Sequence, residues 1–331
     1  MIRLLALALL ALSACSSPPP GPVDASPVTG DGDTYIAHHH DADRALAALQ
    51  TLSSDEFEGR RTGTPGNLKA REWIKARLTE LGAAPAKQDG YESPFAAPRF
   101  DAEGEVVEGT NLVAFIRGTK ASGRDAKALV MTAHYDHLGI KDGEIFNGAD
   151  DNASGVAALL ETIAWFQKNP PENHIIFAFF DAEEGGIVGS AQFLAQLSEG
   201  ERGNIALNLN LDMVARADKG ELYAVGGYHF PELVPVIDGV AAEAPITLLR
   251  GHDSPDLGDN DWSFASDHAP FLRAGIPIIY LGVEDHADYH RESDEFDKID
   301  PAAFARCVDT VILMAEALDT WLSGETVGKS D

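Results

Sequence analysis

The sequence predicts an α/β protein: one globular domain on a mostly parallel mixed sheet with helices on both faces. Three observations carry this. The apolar runs "ALVMTAH", "HIIFAFF", "IALNLNLDM" and "IPIIYLG" are continuous rather than alternating, as in strands buried on both faces. Segments with helical periodicity, such as "ASGVAALLETIAWFQ" and "VGSAQFLAQL", come between them. No repeat or interdomain linker interrupts the pattern after residue 36, and 331 residues with 44% hydrophobic content suffice for a substantial core.

The chain opens with "MIRLLALALLALSAC", one Arg followed by an apolar run and small residues ending at Cys15. This reads as a secretory signal and is too short for a membrane span. Leu12-Ser13-Ala14-Cys15 resembles the bacterial lipobox, which implies that residues 1–14 are removed and Cys15 carries lipid. The protein is then exported and membrane-anchored, and Ser16 in place of Asp favours the outer membrane facing the periplasm. "SSPPPGPVDASPVTGDGD" reads as part of a disordered tether over residues 15–35, which leaves 36–331 as the folded domain. Cys307 is then the one remaining cysteine, and its apolar surroundings in "AAFARCVDTVILMAEAL" predict a buried core thiol and no intrachain disulfide.

"DADRALAALQTL" and "GNLKAREWIKARLTELG" follow as amphipathic helices. In the second, Trp73, Ile74, Leu78 and Leu81 share a face and Gly82 suits the C-terminal stop. The strand "NLVAFI" precedes "ALVMTAH", which ends in His134-Tyr135-Asp136-His137. A loop reaches "GADDNASG" and a helix begins. "HIIFAFF" runs into "DAEEGG", "IALNLNLDM" contains Asp212, "IPIIYLG" is a late strand, and residues 300–322 close the chain as a helix.

A formal charge of −28 with no visible Lys/Arg cluster argues against nucleic acid and suits cations. By composition "GADDNASG" is an ordinary solvated turn. The surrounding pattern overturns that reading. His134 and Asp136 end one strand, Asp181 to Glu184 a second, and Asp212 a third, while ligands of open α/β sheets bind beyond the carboxyl ends of strands. So many carboxylates at one edge repel one another without a cation. A mixed His and carboxylate set suits zinc, and two nearby metals can share a bridging carboxylate.

"AHYDHLG", "NGADDNASG", "DAEEGG", "NLDM" and "DYHRESDEFDKID" resemble, in order, the motifs of the M28 family of zinc aminopeptidases, and the resemblance runs from "LSSDEFEGRRTGTPG" to "DKID". It implies the zinc exopeptidase (phosphorylase/hydrolase-like) fold and two Zn2+ per chain, with Co2+ or Mn2+ as substitutes. It also implies that His134 and Asp212 bind one metal, Glu184 and His290 the other, and Asp150 both. The same resemblance implies that Asp136 orients His134, that Glu183 is the general base and that Tyr289 stabilises the oxyanion. Asp151 turns away to shape the backbone and cap the next helix, with a cis peptide joining Asp150 to Asp151. The substrates the resemblance implies are peptides with a free N-terminus.

Three other readings make different demands. A glutaminyl-cyclase-like acyltransferase needs a one-metal site, a carboxypeptidase an Arg for the free carboxylate, and a silent lipid-anchored binding protein would have lost ligands or base. His137 has no required role, and His38, His39 and His40 offer at most adventitious metal binding near the tether. Ser266, Asp267 and His268 are adjacent and so cannot form a serine triad; Asp267 either caps a short helix or stands near the substrate pocket. "HDSPDLGDND", residues 252–261, lacks EF-hand spacing and reads as a solvated flap rather than a calcium loop.

Overall fold

The computed structural model describes residues 27–30, 32–98, 104–121 and 126–324. The predicted signal segment and Cys15 lie outside the described residues. The chain begins with β1 (Pro27–Thr29), β2 (Thr34–Ile36), α1 (Ala42–Leu52), α2 (Pro65–Glu80), β3 (Ala84–Pro85), β4 (Glu92–Pro98) and β5 (Val106–Ile116). It continues through β6 (Ala128–His134), β7 (Gly139–Lys141), β8 (Glu144–Phe146), α3 (Gly155–Lys168), β9 (His174–Phe180), α4 (Val188–Gln196), α5 (Glu199–Asn204) and β10 (Ile205–Leu211). Last come β11 (Glu221–Val225), α6 (Val234–Glu243), β12 (Thr247–Arg250), α7 (Ala269–Arg273), β13 (Ile278–Gly282) and α8 (Pro301–Leu322).

Nine strands form one sheet in the order β12-β11-β13-β10-β6-β9-β5-β3, with β4 also paired to β5. Its centre, β13-β10-β6-β9, is parallel throughout, and β11 and β5 flank that block antiparallel. Four neighbouring strands therefore release their carboxyl ends at one edge. The continuous apolar runs follow from burial on both faces: Leu129 and Met131 of β6 enter a core with α1, α2, α3, α6 and α8, while Val130 enters a second core with α4 and α7. Ile74 and Leu78 of α2 are buried, and Gly82 takes the left-handed φ of 71° just past that helix. Cys307 is fully buried in α8, and burial pushes its thiol well above the ordinary cysteine range.

One predicted boundary moves. The tether expected through residue 35 gives way at Pro27, where β1 and β2 pair antiparallel and bury Val28 and Tyr35 against Ala302 and Ala305 of α8. Strands of three residues in a segment rich in Pro, Gly and Asp carry no readable periodicity; packing on α8 supports them. The three histidines that follow serve the same junction. Asp309 of α8 accepts from the Tyr35 hydroxyl (2.6 Å), His38 N (2.8 Å), His39 N (3.0 Å) and His40 Nδ1 (2.7 Å).

Candidate metal centre

β6 ends on His134, and the chain turns sharply after β9 and β10 to present Glu183, Glu184 and Asp212 at the same edge. The turns need backbone that L-residues seldom adopt. Ala182 (φ 60°), Met213 (φ 58°) and His290 (φ 56°) are all left-handed, a costly conformation that clusters at functional sites. Asp181 does not join the cluster. It accepts from Thr62 Oγ1, Asn67 Nδ2, Thr110 N and Tyr135 Oη, and burial, reinforced by Asp136, pushes its carboxyl up to about 6.

The "GADDNASG" segment is fastened from three sides. Gly148 has φ 54°, and a Cβ there would stand 2.0 Å from the Asp151 carbonyl and 2.5 Å from His137 Cδ2, so only glycine fits. The Asp294 carboxylate accepts from Asp150 N and Asp151 N at 3.1 Å. Asn152 Nδ2 donates to Leu211 O (2.9 Å), and its Oδ1 accepts from Gly155 N (2.9 Å) and Met213 N (3.2 Å). That side chain ties the start of α3 to the end of β10 and brings the segment against Asp212.

The two aspartates exchange their predicted positions. Asp150 is fully buried and faces away: its Oδ1 accepts from Ala215 N (2.7 Å) and its Oδ2 lies 3.3 Å from His286 Nε2. Asp151 enters the crevice, Oδ1 3.3 Å from His134 Nε2 and Oδ2 3.2 Å from His290 Nε2. The segment departs from helical backbone at Asp151 (φ −101°, ψ 95°) and Asn152 (φ −129°, ψ 44°). Contacts remote in sequence select which of the pair faces the crevice. The cis peptide is likewise one bond later than expected, between Asp151 and Asn152.

Asp151 completes two donor sets. In one, His134 Nε2 is 3.2 Å from Asp212 Oδ1; in the other, His290 Nε2 is 3.2 Å from Glu184 Oε2. Donors about 2.0–2.1 Å from a tetrahedral zinc lie about 3.3 Å from one another, so these separations, looser than good hydrogen bonds, match the edges of a zinc tetrahedron. His134 Nδ1 is 3.1 Å from the Asp136 carbonyl, which accepts its proton and leaves the Nε2 lone pair to the crevice. The contact predicted for the Asp136 carboxylate is longer, 3.7 Å. That carboxylate instead accepts from Glu183 N (3.1 Å) and Glu184 N (3.3 Å) and so fixes the glutamate turn. Groups with metal-compatible spacing among the described residues are His134, Asp151 and Asp212, and His137, Asp151 and Glu184.

Electrostatics separate the carboxylates by environment. Burial pushes the Glu183 carboxyl well above the ordinary range, the nearby carboxylates of Asp212, Asp267 and Glu184 add to the shift, and His134 opposes it. Burial also works against ionised Asp151, but His137, His134 and His290 outweigh it and hold the group well below the ordinary range. Sequence reasoning missed Arg60. Its fully buried guanidinium donates to the carbonyls of Tyr135, Leu52, Asn147 and Gly148 at 2.6–3.0 Å. Burial brings it down to about 10, with Asp151, Asp294, Asp136 and Glu184 opposing. Its only legible signal was the "EGRRTG" stretch.

A cavity of about 270 Å³ opens over the cluster, lined on its polar side by Asp151, Glu183, Glu184, Asp212, Asp285, Tyr289 and His290. Ile187, Met213, Trp262, Ala265, Tyr280 and Val283 form most of its apolar wall. Tyr289 stacks on His290, with ring centroids 3.9 Å apart. Asp267 is buried beside the site rather than capping a helix, and burial pushes its carboxyl up to about 7. Ser266 Oγ accepts from Asn210, while His268 Nε2 donates to Trp262 O, so no serine triad forms. In the 252–261 segment Asp253 is spent on the amides of Gly226 and Tyr228, and Asp261 on Ser263.

The model of peptidase family M28 matches residues 111–315. A probable lipoprotein aminopeptidase, LpqL of Mycobacterium tuberculosis, is 27% identical over 89% of this chain and 64% of its own length. Leupeptin-inactivating enzyme 1 of Streptomyces exfoliatus is 27% identical over 79% and 53%. The chain thus spans about half to two thirds of the length of these relatives. The same fold occurs in BSAP, a zinc aminopeptidase from Bacillus subtilis (TM-score 0.64, 18% identity, covering 83% of this chain and 94% of that one). It occurs too in a glutaminyl cyclase from Fimbriiglobus ruber (TM-score 0.67, 22% identity, 87% and 98%).

Proposed function

We propose that this chain, which belongs to peptidase family M28, removes N-terminal residues from peptides at a two-metal site. Asp151 carries the proposal: each of its oxygens stands beside a different imidazole, which suits a carboxylate shared by two ions. His134 and Asp212 would hold one ion, and Glu184 and His290 the other. Zinc fits this donor set, with cobalt or manganese as substitutes. Bound there, such ions supply Lewis acidity toward a water and the scissile carbonyl.

The remaining roles belong to the chain itself. Glu183, raised by its surroundings and lining the cavity, takes the proton of the attacking water and passes it to the leaving amine. Burial and neighbouring carboxylates keep the Tyr289 phenol well above its usual range, so it stays protonated and can donate to a developing oxyanion. The described residues lining the cavity include five carboxylates and no Arg or Lys. With Asp151, Glu184 and Asp212 taken up by the ions, Glu183 and Asp285 remain, and the lack of an Arg or Lys for a substrate carboxylate favours a free α-ammonium group and supports an aminopeptidase over a carboxypeptidase. Export and anchoring through lipidated Cys15 belong to the same proposal, supported by the lipobox and by a relative named as a lipoprotein.

Glutaminyl cyclization is the second reading, because a cyclase shares the fold. It calls for one metal, whereas two donor sets meet at Asp151. Metal content together with assays on aminoacyl chromogenic amides and on peptides beginning with Gln separates the two. Two metals and amide cleavage are expected; one metal with cyclization and no cleavage overturns the proposal.

A further inference from the structure

We propose that His137 is the positioning residue for Glu184. This rests on the two-metal reading and adds a residue to which the sequence assigned no role. His137 is fully buried against the loop that carries Asp151, where Gly148 leaves just enough room for its ring. Its Nδ1 is 2.6 Å from Glu184 Oε1, while the other oxygen, Oε2, lies 3.2 Å from His290 Nε2. The carboxylate is thus divided, one oxygen held by an imidazole N–H and the other presented to the crevice.

Although His137 forms a group with Asp151 and Glu184 whose spacing admits an ion, its individual distances favour the orienting role. Donors around a zinc ion sit about 3.3 Å apart, as His134 does from Asp151 and Asp212, and His290 from Asp151 and Glu184. His137 Nδ1 stands 2.6 Å from Glu184 and 3.7 Å from Asp151 Oδ2, a hydrogen-bond distance on one side and an open gap on the other. Its Nε2 is buried with no partner among the described residues. A proton on Nδ1 therefore satisfies the donor and leaves only an acceptor unfilled, the less costly arrangement. Held in this way, Glu184 needs no reorganisation to receive an ion, as is usual for hydrogen bonds that orient a metal ligand.

The test compares two near-isosteric variants of the full-length protein, His137→Asn, which keeps a donor at this position, and His137→Leu, which removes it. Each is stripped and titrated with Co2+, with the visible absorption and chelator competition read for both ions. The wild type is expected to bind two. His137→Leu should lose about 10–100-fold in affinity for one of them, with the other unchanged and the saturated spectrum that of the wild type, and His137→Asn should recover most of the loss. Unchanged affinity in His137→Leu overturns the inference while leaving the two-metal site intact. An altered spectrum at saturation makes His137 a ligand and overturns it too. A wild type that binds one cobalt takes down both this inference and the two-metal reading. If His137→Leu does not fold, His137→Ala removes the donor without adding a charge or a ligand and reads the same contrast against His137→Asn.

Discussion

Exchanging each aspartate of the pair for asparagine tests the site most directly. Asp151→Asn neutralises a carboxylate whose two oxygens stand 3.3 and 3.2 Å from two different imidazoles. Substituting a partner that only orients a ligand costs about 10–100-fold in metal affinity, and a shared direct donor must exceed that. The expected loss is therefore more than about 100-fold, or about 2.8 kcal/mol, and it should fall on both ions. Asp150→Asn keeps an oxygen for Ala215 N and can turn its amide NH2 toward His286 Nε2, so its cost should stay under about tenfold. Metal content by mass spectrometry after dialysis against buffered zinc, with thermal melting to verify folding, reads both. If Asp150→Asn empties the site and Asp151→Asn does not, the assignment built on this geometry is wrong.

Glu183→Gln should lower amide hydrolysis by about 100-fold or more with zinc content near normal, whereas Glu184→Ala should lower zinc content first; the reverse pattern would mean that the two roles are exchanged. Chelation should lower the melting temperature, since at 1,000 times Kd a bound ion adds about 4.1 kcal/mol; a melt indifferent to chelator would argue against the site. Asp309→Ala strands four donors around a buried carboxylate and should cost about 3–5 kcal/mol in urea denaturation at neutral pH. Burial alone would raise Asp309, but its bonds to His39, His40 and the backbone depress it. A depressed carboxylate stabilises the fold above its unfolded value of about 3.9 and loses that contribution as pH falls through the folded one, so the gap between wild type and variant should close only in acid. A constant gap down to low pH would refute the account.

Much of the architecture was legible from local chemistry. Apolar runs without alternation specify strands covered on both faces, whatever their partners, and the His and acidic residues at the ends of such runs must meet wherever the strands lie parallel and adjacent. That basis singled out His134, Asp136, Asp181 to Glu184 and Asp212, and of these His134, Glu183, Glu184 and Asp212 reach the crevice. The β1–β2 pair was not, because each strand is three residues long and stands by its contacts with α8. Arg60 was missed for a similar reason: the four carbonyls from three segments that satisfy its buried guanidinium are not readable from the "EGRRTG" stretch around it.

The sequence by itself determined which residue types gather at the sheet edge, because strand burial and strand ends are local properties of the chain. It could not choose between Asp150 and Asp151. Which of the two faces the crevice is set by Asp294, by Asn152 clasping the end of β10 and by Ala215 capturing Asp150. Those contacts reach across 60 to 140 residues of chain, roughly, and only the folded molecule brings them together. The use of His137 is decided in the same way, by the 2.6 Å that separates it from Glu184.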